Sequence, residues 1–179
     1  MSRDSKFLSR VLRHEPELIE IRLDPQGWVL IDELLRKVKK VGRSLTREQL
    51  REIVETNDKR RFTLSSDGRR IRAAQGHSVD VDLGLSPQVP PEVLYHGTAA
   101  QNLDAIFQSG LDPGRRRQVH LSPDPETATR VGRRHGKPTV LRVDAGKMHA
   151  DGHIFTCSDN GVWLTDSVPA GYLGFGVVK

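Results

Sequence analysis

Arg13 and His14 stand side by side where a helical pattern runs out, and Pro16 closes that pattern two residues later. A guanidinium offers a bidentate fork to phosphate, and an imidazole adds a hydrogen bond whose charge follows pH. A helix end that presents both is suited to an anion. The plainer explanation is that cations in a last turn complement the carbonyl end of the helix dipole. Position alone favours the plainer one. A second basic set, Arg60, Arg61, Arg69, Arg70 and Arg72, crowds a predicted hairpin, where a solvated charged face is the ordinary explanation. Just after it, Gln75-Gly76-His77-Ser78 combines a glycine that permits close backbone approach with three hydrogen-bonding tips.

Two further histidines, His96 and His120, fall near the starts of separate predicted strands, each followed by small or hydroxylated residues. Either alone reads as a satisfied structural histidine. With Gly97 and Thr98 they could form a polar pocket for a nucleotide ribose. Two histidines with no acidic or thiol partner at ligand spacing do not make a zinc site, so no metal is expected. Arg130 and Arg134 share a helix face at i, i+4 spacing, with Arg133 displaced from it. Near a helix end they too are ordinary dipole partners. There is no P-loop, GxGxxG fingerprint or Ser-His-Asp arrangement.

The elements that must hold these residues are short. Ser5 to His14 is amphipathic through Phe7, Leu8, Val11 and Leu12. Asp24-Pro25-Gln26-Gly27 is a turn, Trp28 to Leu30 a short strand, and Asp32 to Val41 a helix stopped by Gly42. Thr46-Arg47-Glu48-Gln49 fits a capping box and opens a third helix. Asn57-Asp58 reads as turn chemistry rather than a site. Arg61 to Leu64 and Arg70 to Ala73 form a hairpin about Ser66-Asp67-Gly68, and Val79 to Gly84 alternates like an edge strand. Helices followed by a basic hairpin resemble a winged helix.

A proline-rich stretch, residues 85–92, is the predicted linker between a lobe at 1–84 and one at 93–179. The second lobe reads as strands Val93 to Thr98, Gln118 to Ser122, Thr139 to Val143, Ile154-Phe155 and Val162 to Leu164. Two short helices, Asn102 to Ser109 and Thr127 to His135, lie between them. Many brief strands with few helices predict an α+β fold.

The charge balance separates the halves. The whole chain carries +5, yet residues 1–72 hold 18 Lys and Arg against 12 Asp and Glu, so the basic excess is N-terminal. That suits a polyanionic partner. With five Phe, two Trp and two Tyr, phosphate contacts are a better source of affinity than base stacking. One cysteine, Cys157, excludes an internal disulfide. No apolar run reaches bilayer length and the N-terminus lacks a signal-peptide core, so a cytoplasmic protein away from membranes is expected.

Six short motifs then fall in one order: Leu12-Arg13-His14-Glu15-Pro16; Asp58-Lys59-Arg60-Arg61-Phe62; Ile71-Arg72-Ala73-Ala74-Gln75-Gly76-His77-Ser78; Tyr95-His96-Gly97-Thr98; Val119-His120-Leu121-Ser122; and Val131-Gly132-Arg133-Arg134-His135-Gly136-Lys137-Pro138. Taken together they resemble the Tpt1/KptA family of NAD-dependent RNA 2′-phosphotransferases. Ala74 departs from the family's pattern, where asparagine is expected.

The resemblance implies a winged-helix-like RNA lobe and a C-terminal lobe of ADP-ribosyltransferase type. It implies removal of an internal RNA 2′-phosphate, of the kind left at a tRNA splice junction, by transfer to NAD⁺. The phosphate would first displace nicotinamide, giving an ADP-ribosylated RNA 2′-phosphate. The ribose 2″-hydroxyl would then attack phosphorus, releasing 2′-OH RNA and ADP-ribose 1″,2″-cyclic phosphate. The family's catalytic set carries over to Arg13, His14, Arg61 and Arg134. His96, Gly97, Thr98, His120 and Ser122 carry over as NAD⁺ residues, and Gln75, His77 and Ser78 as substrate contacts. A monomer is expected. The rivals are a mono-ADP-ribosyltransferase acting on terminal phosphates or proteins, and a non-enzymatic winged-helix regulator that senses a nucleotide.

Overall fold

The computed structural model describes residues 2–57, 59–133 and 136–176. Its contacts divide the chain between Gly84 and Leu85 into two units, each α+β.

In the first unit, the Ser2 hydroxyl accepts a hydrogen bond from the Ser5 N–H (3.1 Å) and so starts α1 (Arg3–Arg13). α1 buries Leu8, Val11 and Leu12 and ends at His14. α2 (Ile31–Lys40) and α3 (Arg47–Glu55) follow. The capping box at α3 is complete, with Gln49 N–H on Thr46 Oγ1 at 3.2 Å and Thr46 N–H on Gln49 Oε1 at 2.9 Å. Three strands, β1 (Val29–Leu30), β2 (Phe62–Leu64) and β3 (Arg70–Ala73), form an antiparallel sheet in the order β1-β3-β2. Strand alternation turns Phe62 into a core shared with Leu8, Leu12, Leu34, Leu50 and Ile71. Each such side chain contributes about 1.5–3 kcal/mol by leaving water.

Two expectations for this unit are corrected. Val79 to Gly84 forms no strand. Its backbone is taken up locally, with Asp82 N–H on the Pro25 carbonyl at 2.8 Å and Gly84 N–H on the Asp82 carboxylate at 2.9 Å. Aspartates that bond to nearby backbone compete with a strand ladder. Arg72 is not on a solvated face of the hairpin. It is 8% exposed, lies 4.5 Å over the Trp28 ring, and donates to the Leu83 carbonyl at 3.0 Å. A ring face and carbonyls replace the water that a buried guanidinium loses.

In the second unit, β4 (Val93–Ala99) pairs antiparallel with β6 (Pro138–Asp144), which pairs with β9 (Leu173–Phe175). A second sheet has the order β5-β8-β7, from β5 (Val119–Leu121), β8 (Trp163–Thr165) and β7 (Thr156–Cys157). The helices are α4 (Leu103–Ser109), α5 (Pro125–Gly132) and α6 (Ala145–Ala150). α5 lies directly on β4. A Cβ on Gly97 would fall 1.7 Å from the Ala128 carbonyl oxygen, so only glycine allows that contact. A reciprocal bridge, Tyr95 N–H on the Ser122 carbonyl (2.9 Å) and Ser122 N–H on the Tyr95 carbonyl (2.7 Å), ties β4 to the residue after β5.

Here the sequence expectations shift in detail. The strand expected at Ile154-Phe155 forms at Thr156–Cys157, because Phe155 is fully buried and its carbonyl accepts from Gln88 N–H at 2.8 Å. α5 begins at Pro125, since the Asp124 carboxylate caps Thr127 N–H at 2.7 Å. The helix expected to reach His135 is traced to Gly132, with Arg133 as its cap, and His135 lies outside the described residues. α6 and β9 were not expected. Six residues show too little periodicity, and Gly174 interrupts a three-residue strand. No described helix is long and apolar enough to cross a membrane.

Candidate functional site

The end of α1 is a gathering point for the first unit. Carbonyls in a helix's last turn lack internal partners. Here Ser78 N–H (2.9 Å) and Val79 N–H (3.4 Å) both donate to the Arg13 carbonyl. That draws the Gln75 to Ser78 turn onto α1. Gly76 makes the turn at φ +86°, and a Cβ placed there would lie 3.7 Å from Arg13 Nη1. The guanidinium therefore rests against a left-handed glycine. On the same turn, Ser78 Oγ sits 2.9 Å from His14 Nδ1.

β2 brings Arg61 to this place. The Arg61 carbonyl accepts from Ala74 N–H at 2.9 Å and from Arg13 Nη2 at 3.4 Å. Its own guanidinium donates through Nη1 to Asn57 Oδ1 at 2.9 Å, and Asn57 Nδ2 donates to Ser5 Oγ at 3.1 Å. Asn57 is thus more than the turn residue expected of it. It connects Arg61 to the first turns of α1. Arg60, held at φ +41° with its N–H on the Asn57 carbonyl at 2.7 Å, makes the kink that sets Arg61 at this angle. A non-glycine residue there costs about 1 kcal/mol or more. Arg61 also borders a groove of about 550 Å³ lined by Asp4, Gln49, Glu52 and Lys59 among others.

His77 is 4% exposed and packs against Gly27. Burial, aided by the charges of Arg13, His14 and Arg72, pushes its pKa down to about 4. Its Nε2 and the Gln75 Oε1 are both buried, and neither has a hydrogen-bond partner among the described residues. The structure therefore brings Arg13, His14, Arg61, Gln75, His77 and Ser78 to one place. Side-chain cations dominate it, because the helix dipole is negative at this end. Arg134 lies outside the described residues.

A second cluster belongs to the other unit. His96 is the fourth of the seven residues of β4 rather than near its start. Its Nδ1 is 3.2 Å from the His120 carbonyl oxygen, across the strands joined by the Tyr95–Ser122 bridge. His120 Nδ1 is 3.0 Å from Arg116 Nη1, a residue the sequence pattern did not single out. Both rings are half-buried. Thr98 is 4% exposed, and its Oγ1 accepts from Asn102 Nδ2 at 3.2 Å. Gly97 serves helix packing, and Ser122 joins the bridge through its backbone. Two half-buried imidazoles over a glycine strand suit the hydroxyls of a ribose, so these residues fit a nucleotide such as NAD⁺. Among the described residues, no group of three or more His, Cys, Asp or Glu is placed to hold a metal ion.

Comparison with known proteins adds a separate line of evidence. The family model described as RNA 2′-phosphotransferase, Tpt1/KptA family, matches residues 2–167. A probable RNA 2′-phosphotransferase of Agrobacterium fabrum is 60% identical over 169 residues, covering 94% of this chain and 91% of the relative. One of Hahella chejuensis is 57% identical over 169 residues, with 94% and 91% covered. One of Burkholderia pseudomallei is 53% identical over 174 residues, with 97% and 95% covered.

Proposed function

The chain belongs to the Tpt1/KptA family of RNA 2′-phosphotransferases, and from that premise we propose that it removes an internal RNA 2′-phosphate by transfer to NAD⁺. The observation that carries this reading is the meeting of Arg13, His14 and Arg61 at the end of α1, each held by its own neighbour. The N-terminal unit acts as the RNA lobe, of winged-helix type, and the C-terminal unit as the NAD⁺ lobe, of ADP-ribosyltransferase type.

In the first step a 2′-phosphate oxygen attacks the ribose C1″ and the C–N bond to nicotinamide breaks. Arg13 and Arg61 orient the phosphate for that attack, which depends on alignment more than on a strong base. In the second step the 2″-hydroxyl attacks phosphorus, and the bond to the RNA 2′-oxygen breaks. Charge then builds on the non-bridging oxygens, where two fixed guanidiniums act most strongly. By the family resemblance Arg134 adds a third. His14, with Nδ1 beside Ser78, meets the substrate through Nε2, giving the phosphate a hydrogen bond or the departing 2′-oxygen its proton. The buried Gln75 Oε1 accepts from a donor on the substrate. His96 and His120, with Gly97, Thr98 and Ser122, hold NAD⁺.

The test is a short RNA with one internal 2′-phosphate, incubated with and without NAD⁺ and followed by mass. Conversion to 2′-OH RNA only with NAD⁺, with ADP-ribose cyclic phosphate formed, is the expected result. A stable ADP-ribosylated RNA would instead indicate a transferase that stops after one step, and no NAD⁺ consumption would overturn the reading.

A further inference from the structure

Arg10 precedes Arg13 by three residues and His14 by four, so the three side chains are neighbours on the last turns of α1. Arg10 Nη2 donates to Oε2 of Glu15, the residue that follows His14. The backbone draws the same two residues together. The Arg10 carbonyl accepts from both His14 N–H (2.9 Å) and Glu15 N–H (3.0 Å), and Pro16 keeps Glu15 from continuing the helix. Glu15 thus adds a full negative charge to a helix end that is already negative through its dipole. A carboxylate beside Arg13 and His14 opposes the binding of any phosphate there. The Arg10 guanidinium holds the Glu15 carboxyl below the usual carboxylate range, and the charge of His14 acts in the same direction. The carboxylate is therefore within electrostatic reach of the imidazole.

We propose that Arg10 and Glu15 form a charge-cancelling pair at the rim of the 2′-phosphate seat, in which Arg10 removes the repulsion that Glu15 would exert on the bound phosphate. This rests on the reading that Arg13, His14 and Arg61 hold that phosphate. It adds two residues that set how strongly a 2′-phosphate is preferred over a 2′-hydroxyl. A phosphate monoester carries about −1.5 to −2 charges near neutral pH, so a neighbouring carboxylate repels it more strongly than it repels a backbone phosphodiester. The two side chains are 55% and 40% exposed. An ion pair that open to water adds little to stability, and its effect lies in the field it cancels.

Equilibrium binding to the whole chain, without NAD⁺, compares a short RNA carrying one internal 2′-phosphate with the same RNA carrying a 2′-hydroxyl. The ratio of the two dissociation constants isolates the 2′-phosphate from every other RNA contact. R10Q is expected to lower the preference for the phosphate about threefold, and E15Q to raise it by a similar factor. The double variant R10Q/E15Q returns it near the unaltered value. Both single effects shrink at about 1 M salt, where the screening length is about 3 Å. A clamp that merely held the helix end would make both single variants lose preference, and the double variant would not recover. A direct contact from Arg10 to the RNA backbone would weaken both RNAs alike in R10Q and leave the ratio unmoved. Either pattern would overturn the proposal, as would a ratio unchanged in E15Q. Equal binding of the two RNAs by the unaltered protein would instead overturn the phosphate seat itself, and the pair's role with it.

Discussion

His14 Nδ1 lies 2.9 Å from Ser78 Oγ, a contact between residues 64 apart in the chain. The same Ser78 donates its N–H to the Arg13 carbonyl at 2.9 Å, so one residue fixes the backbone at Arg13 and the ring of His14. Ser78 therefore positions the histidine proposed to act on the phosphate, beyond the substrate contact expected of it. Ser78→Ala is predicted to lower kcat about tenfold, the worth of one oriented hydrogen bond, and to leave the KM for NAD⁺ unchanged. An unchanged kcat would remove Ser78 from the mechanism.

Arg13 and Arg61 are predicted to matter most when charge accumulates on the phosphorus oxygens. Arg13→Ala and Arg61→Ala should leave the melting temperature near that of the unaltered protein while 2′-phospho-ADP-ribosylated RNA accumulates. Mass spectrometry of the RNA gives the answer, and normal turnover by either variant would contradict the assignment. Lysine at either place should restore little, because a point charge does not replace a planar fork.

Asn57 holds Arg61 Nη1 at 2.9 Å and reaches Ser5 at 3.1 Å. Asn57→Ala takes away one hydrogen-bond partner of the guanidinium and leaves the guanidinium itself in place. The expected result is a weaker form of the Arg61→Ala phenotype, with kcat down roughly tenfold or less. In the double variant with Arg61→Ala, the Asn57 effect on kcat should vanish. Fully additive losses would show that Asn57 acts by another route.

His77 makes stability depend on pH. Its folded pKa is about 4, against an ordinary value of 6.5, because burial resists the charged form. Between those values the unfolded chain takes up a proton that the folded one refuses, so stability falls as pH drops. Between pH 7 and pH 5 this single group accounts for about 2 kcal/mol. Urea unfolding at both pH values measures it, and His77→Gln should remove that part of the difference. An identical slope in the variant would refute the assignment.

Gly97 is predicted to be irreplaceable on packing grounds. A Cβ there would meet the Ala128 carbonyl oxygen at 1.7 Å, a fixed backbone atom. Gly97→Ala should destabilise by about 3 kcal/mol or more, since α5 must lift from β4. A urea midpoint equal to that of the unaltered protein would show that the helix can shift at no cost.

Local chemistry was legible along the chain wherever neighbours in sequence do the work. The Thr46 capping box, the glycine stop after α2, the hairpin about Ser66 to Gly68 and the apolar stripe of α1 depend on spacing alone. So did the α+β class and, through six ordered motifs, the family. What escaped were contacts set by distance in space. Asn57 read as a turn because its partners, Ser5 and Arg61, meet it only when α1 and β2 pack together. Arg72 read as a surface cation because nothing in its spacing shows that Trp28 and the Leu83 carbonyl enclose it. Arg116 had no pattern at all. Its approach to within 3.0 Å of His120 Nδ1 exists only in three dimensions. Periodicity reports which face of an element is apolar. Which polar groups meet there is decided by packing, because a buried donor or acceptor must find its partner wherever the fold provides one.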